Sequence, residues 1–305
     1  MQVEYCGWPR CYRLANKEIE LIATADVGPR VIRFGFIGEK NVFGENEDDI
    51  GQIGGDTWRI YGGHRLWHAP EKKPRSYAPD NSPVQVEEGE NSLVLSQDTE
   101  SSTGIQKTIE LTLDPHANHV RAIHRLRNDN LWPVELAPWA LSLMAKGGFA
   151  IVPQSGLREG ESGFAPTSTI ALWSYANMSD PRWRWGRQYI TLRQDPNAEG
   201  PQKAGMRCCE NWMAYVVDGY LFLKTFRYQA GASYPDCGSS VEVYTDPAIL
   251  EVETLGPLTC LEPGQSVEHV EHWFLHKGIG VTNDDESIAK MVMPLAQSAL
   301  IVSGR

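Results

Sequence analysis

The chain has 305 residues, 41% hydrophobic and 22% charged, the balance of a soluble globular protein with no disordered tract. Its 28 basic and 39 acidic residues leave a formal charge of −11, which repels phosphate backbones and argues against nucleic acid as a partner. No apolar run of about 18 residues occurs and the first residues carry no leader pattern, so the expectation is a cytoplasmic protein with no membrane partner.

The first elements read as strands. Residues 12–23 alternate or run apolar, Asp26-Val-Gly-Pro breaks the run, and Arg30-Val-Ile-Arg-Phe-Gly-Phe resumes it. After an acidic loop over 41–55 comes the densest stretch of polar chemistry, Trp58 to Glu71. Gly62 and Gly63 permit a sharp turn or a close backbone approach. His64, Arg65, Trp67 and His68 follow at once: imidazoles that exchange protons near neutrality, a rigid cationic fork and a flat apolar face. Together they suit a polyol, although each alone also suits a structural role. A metal set of His64, His68 and Glu71 is disfavoured, because His-x3-His belongs on a helix face and Gly62-Gly63 and Pro70 oppose a helix.

Residues 72–83 hold three prolines and read as a loop. From Val84 to Asn128 the pattern is a strand meander, in which His124 reads as a satisfied structural histidine. Residues 131–144 form another strand, where Pro133 and Pro138 predict an edge, a bulge or irregular pairing. Arg182, Arg184 and Arg187 interleave with Trp183 and Trp185; this patch suits either a stacked sugar or a loop in which arginines cover tryptophans. The runs flanking Asp218-Gly219 predict a tight hairpin, and Lys224 within its apolar second strand requires a partner. Asp236 lies in a turn, strands follow over 240–244, 250–255 and 266–275, and a helical tail is expected over about 283–300. Six cysteines without a paired CxxC set are expected to be reduced, with a Cys6–Cys11 bridge open only to an oxidising compartment.

Well over a dozen strands with almost no helix imply large antiparallel sheets packed face to face as one domain over 1–305. The order of elements resembles the galactose mutarotase-like superfamily, which includes the aldose 1-epimerases. The resemblance rests on Asp26-Val-Gly-Pro-Arg-Val-Ile, Gly62-Gly63-His64-Arg65-Leu66, Lys107 to Leu111 with Val120 to Asn128, and Val241-Glu-Val-Tyr-Thr-Asp-Pro with Leu250 to Pro257 and Leu261 to Ser266. It implies an all-β, two-sheet supersandwich with a short C-terminal helix and a small-molecule carbohydrate as ligand. No cofactor or metal is implied. Arg65 matches the family's cleft arginine and His64 stands where asparagine is usual. Trp139 occupies the place of a catalytic histidine, and the segment Leu-His-Gly-Gly is missing after the arginine. The chain thus looks more like a separate bacterial branch of the superfamily than like a true aldose 1-epimerase.

By that resemblance Glu253, or Glu251 on the same strand face, is the general base and His64 or His68 the acid. Arg65 orients hydroxyls, Trp67, Trp139 or Trp183 stacks on the ring, and Lys224 and Asp236 complete the substrate-binding set. The competing expectation is a carbohydrate-binding or structural module without catalysis, which the missing histidine favours. The sugar, its phosphorylation and the oligomeric state are left open by the sequence.

Overall fold

The computed structural model describes residues 1–156, 163–164 and 166–304. Among these, two antiparallel sheets of eleven and ten strands stack face to face, the all-β two-sheet sandwich expected from the sequence. The middle of the eleven-stranded sheet is built from segments far apart in the chain. His64–Ala69 pairs with Val134–Leu143, followed by Leu250–Leu255, Val241–Thr245 and Gln202–Met206. In the ten-stranded sheet, Trp212–Val217, Tyr220–Phe226, Ser266–Lys277, His119–Asn128 and Ile105–Leu113 are successive neighbours.

Local chemistry explains several of these placements. Asp218 and Gly219 take φ of +49° and +79°, the left-handed pair a two-residue hairpin turn needs, and Val217 then faces Tyr220. Gly63 has φ of +69°, and a Cβ there would lie 2.2 Å from the Val31 carbonyl oxygen. At Gly62, with φ of +110°, the same atom would lie 2.3 Å from Gly44 O. Only glycine lets the chain enter the His64–Ala69 strand through this gap. Of the expected edge, bulge or irregular pairing, Pro138 marks the last, because Val134–Leu143 is central. Leu250–Leu255 pairs with residues 139–143 and Thr259–Leu261 with 134–136, so the proline falls where one partner strand ends and the other begins. No ladder bond is lost at its missing N–H.

Between the sheets Phe34, Phe43, Phe222 and Trp273 interlock, with ring centroids 5.4 to 6.1 Å apart. The outer face of the ten-stranded sheet is covered by the tail, which forms two helices, Asp285–Met291 and Met293–Val302. Asp284 caps the first by accepting the Ser287 N–H at 2.8 Å, and Pro294 forces the break because it cannot continue the hydrogen-bond ladder. Ile288, Val292, Ala296 and Ala299 pack over Ile151, Trp212, Leu221, Leu223 and Phe274. No helix among the described residues is long and apolar enough to cross a membrane, and all six cysteines are free thiols.

Candidate functional site

The outer face of the eleven-stranded sheet is put to a different use. Side chains alternate across each strand, so Arg65 and Trp67, Trp139 and Leu141, Glu251 and Glu253, Tyr244, and Lys203 all project from this face, one set per strand. They line a pocket of about 410 Å³ walled by Trp58, Tyr77 and Tyr175, with Glu71 and Asp246 also in its lining. That volume lies within the range of small-ligand sites, roughly 300–1,000 Å³. A larger depression of about 810 Å³ lies beside Gln154, Arg187 and Asn211. The smaller pocket is the better candidate because four buried charged side chains, Arg65, Lys203, Glu251 and Glu253, converge on it.

Lys203 is the hub. Its Nζ lies 2.7 Å from Glu242, 3.5 Å from Glu253 and 4.0 Å from Glu71, and 4.6 Å from the ring centres of both Trp139 and Trp173. Burial works against the ammonium, but Glu242 and Glu253 outweigh it and hold the lysine well above its usual pKa. Burial pushes the Glu242 and Glu253 carboxyls up, each against the pull of Lys203. The indole N–H of Trp139 donates to Glu253 at 2.8 Å and fixes its orientation. Arg65 Nη1 lies 3.0 Å from Glu251, and the guanidinium stands 4.6 Å over Trp67 and 5.6 Å over Trp58.

Of the residues expected at the site, the structure gathers Arg65, Trp67, Trp139, Glu251 and Glu253. The rest lie elsewhere. His64 and His68 fall on the opposite phase of their strand and point between the sheets: Leu66, which lies between them, belongs to the central core, while Trp67 belongs to the pocket cluster. His68 is buried 3.7 Å from Glu100, and burial pulls its pKa down. Trp183 packs in the core of the other sheet, stacked on Trp185 at 4.8 Å and donating to Gln202 at 3.0 Å. Arg182 binds Asp180 and Arg184 binds Asp285, so the basic-aromatic patch packs on itself, but as the edge strand Trp183–Trp185 and not as a loop. Asp236 sits outside the pocket lining, in left-handed backbone with φ of +49°, close enough to Glu242 to push that carboxyl up.

Lys224 has its partner in the interior, where it donates to Glu271 at 2.9 Å. Thr254 and the Trp273 indole also donate to that carboxylate, at 2.5 and 2.6 Å. Burial opposes the Glu271 charge, yet Lys224 together with His64, His124 and His269 outweighs it and keeps the carboxyl well below its usual range. Beside it, His64 Nε2 and His124 Nε2 meet at 2.7 Å, with Glu271 4.0 Å from each. This trio has metal-ligand residue types, but its hydrogen bonds close without an ion. His124 Nδ1 donates to the His269 carbonyl at 3.0 Å, so in the neutral ring Nε2 accepts from His64, whose Nδ1 accepts from Ser142 at 2.7 Å. Burial pulls both imidazoles down, which favours this neutral chain.

No protein-family model matches the chain, and no curated protein matches it in sequence. Solved structures do match. Slr1438 from Synechocystis sp. PCC 6803 superposes with a TM-score of 0.58 at 10% identity over 91% of this chain and 99% of its own. A galactose mutarotase-like protein from Lactobacillus casei ATCC 334 gives 0.55 at 9% identity over 87% and 100%. A galactose mutarotase related enzyme from Lactobacillus acidophilus gives 0.51 at 9% over 90% and 99%. The fold is galactose mutarotase-like. Within this mutarotase-like fold Trp139 projects into the pocket, and none of the described histidines lines it. The sequence reading missed Lys203, Glu242 and the walls Trp58, Tyr77, Tyr175 and Tyr244. The signal that marked Lys224, a charge flanked by strand residues, was also present in Gln202-Lys-Ala and Val241-Glu-Val.

Proposed function

We propose that the pocket binds a sugar and that Glu253 exchanges a proton with it, interconverting anomers. The observation that carries this reading is a buried carboxyl, oriented by Trp139 at 2.8 Å, in a small pocket walled by aromatic rings. Indole and phenol rings offer apolar platforms for the C–H faces of a pyranose, and the charged groups meet its hydroxyls. Solved relatives described as galactose mutarotase-like support carbohydrate chemistry on this fold.

In the reaction the Glu253 carboxylate takes the proton of the anomeric hydroxyl as the ring C–O bond opens. Lys203, 3.5 Å away, donates to the ring oxygen and takes that proton back on closure, while Glu242, 2.7 Å from its Nζ, holds the amine in position. Closure on the other face of the carbonyl reverses each transfer. Six free thiols suit a reducing, cytoplasmic setting.

One observation favours a second reading, binding without turnover. Lys203 is held above its usual pKa and so gives up its proton reluctantly. Polarimetry or NMR exchange on a panel of free sugars separates the two. Faster anomer exchange, lost in Glu253→Gln with the fold intact, supports catalysis. Tight binding with exchange no faster than in buffer supports the module, and binding of no sugar refutes both.

A further inference from the structure

The pocket's charges select among sugars. Four carboxylates line it, from Glu71, Asp246, Glu251 and Glu253, against two cations, Arg65 and Lys203. Both cations are committed. Lys203 is pinned by Glu242 and Glu253 between two indole rings, and Arg65 is held beside Glu251 and over Trp67. Arg65 Nε and Nη1 make no hydrogen bond, but the guanidinium charge is already matched by Glu251, so the lining as a whole stays acidic. The carboxylates outnumber the cations two to one. Among the described residues Glu71 has a single ion-pair contact, Lys203 at 4.0 Å, and accepts from the Tyr77 hydroxyl. Asp246 is held by the Tyr244 hydroxyl at 3.2 Å and by the N–H groups of Ala248 and Ile249 at 2.7 and 2.9 Å.

A second observation points to a ligand. Glu251 is only 6% exposed and lines the pocket, yet its Oε1 accepts no hydrogen bond. Arg65 Nη1 is 3.0 Å away but its N–H bonds are misdirected, and that atom too has no hydrogen-bond partner. A buried acceptor left open costs about 1–3 kcal/mol unless a bound group fills it. Acid-rich lining combined with the rings of Trp58, Tyr77, Tyr175 and Tyr244 suits an incoming cation, which gains from both the carboxylates and the ring faces.

We propose that the ligand is a positively charged sugar, a hexosamine with a free ammonium group, and not a phosphorylated or acidic sugar. This rests on the sugar reading above and adds the ligand's charge. The test is calorimetric titration of the full chain, at a pH where the amine is protonated. The probes are a hexose, its 2-amino derivative, the N-acetyl form, the 6-phosphate and choline.

The expected result is binding of the amino sugar about tenfold or more tighter than the hexose, with that advantage lost on N-acetylation and no binding of the phosphate. Glu71→Gln and Asp246→Asn should each shrink the amino-sugar advantage. Asp246 also orders its turn, so Glu71→Gln carries the test if Asp246→Asn fails to fold. Equal binding of hexose and amino sugar, or tighter binding of the phosphate, overturns the inference and leaves the sugar reading standing. If no sugar binds, the sugar reading fails. Choline binding weakened by Glu71→Gln then supports the preference for a cation by itself, and no choline binding overturns that as well.

Discussion

Replacing Lys224 with methionine asks whether this lysine serves the core or the ligand. The ammonium and the Glu271 carboxylate are both fully buried and 2.9 Å apart. Removing one partner of a buried pair costs about 3–5 kcal/mol, because the other charge is left without compensation in a dry interior. Thr254 and Trp273 still donate to Glu271, which places the loss near the lower end, about 3 kcal/mol. At roughly 2–4 °C per kcal/mol for a large domain, the melting temperature should fall by about 6–12 °C. Urea and thermal unfolding at pH 7.5 would measure this for wild type, Lys224→Met, and Lys224→Met combined with Glu271→Leu. The double variant should recover most of the loss, since an apolar pair replaces an orphaned charge.

The pH dependence has a defined sign. Glu271 has a depressed folded pKa, so its contribution is present above the unfolded value of about 4.3 and is lost as pH falls through the folded value. In Lys224→Met burial dominates and the carboxyl moves up, so the deficit relative to wild type should shrink between pH 7.5 and 5. A single variant within about 1 kcal/mol of wild type, or a double variant no better than the single, would refute the buried pair. Loss of ligand binding with full stability would return Lys224 to the pocket.

Three other expectations are independent of that one. Trp139→Phe keeps the aromatic volume but removes the donor that lowers the Glu253 pKa, so the acidic limb of a pH–rate profile for anomer exchange should move to higher pH; an unmoved limb would mean the indole does not tune the carboxyl. Gly63→Ala places a Cβ 2.2 Å from Val31 O at φ of +69° and should cost at least about 1–3 kcal/mol in denaturant unfolding; a neutral result would contradict the backbone approach. His64→Gln should lower stability while leaving ligand affinity within about twofold, since His64 lies between the sheets; calorimetric loss of binding alone would place it in the site.

The sheet pattern was readable because period-two alternation is a local property, and the same alternation put Glu251 with Glu253 on one strand face. What could not be read was the side of the sheet each phase faces. Both faces of His64–Ala69 are buried, so apolar and polar residues sit on both phases and the usual inside–outside contrast is absent. His64 and Arg65 are adjacent in sequence and opposite in role for that reason. Lys203 and Glu242 were missed because their value is relational. Gly205 faces Glu242 and Lys203 faces Tyr244 across the Gln202–Met206 and Val241–Thr245 pairing, a neighbourhood that no single segment reveals. Trp183 looked like a sugar platform because composition alone does not distinguish a ring stacked on a ligand from one stacked on Trp185.

The indoles around Lys203 have a practical consequence. Trp58, Trp67 and Trp139 line the pocket, and Trp139 is simultaneously bonded to Glu253 and faced by an ammonium. Indole emission responds to such charges and to displaced solvent. Any molecule that seats itself between these rings should therefore alter the native fluorescence, so the protein supplies its own label-free reporter of occupancy.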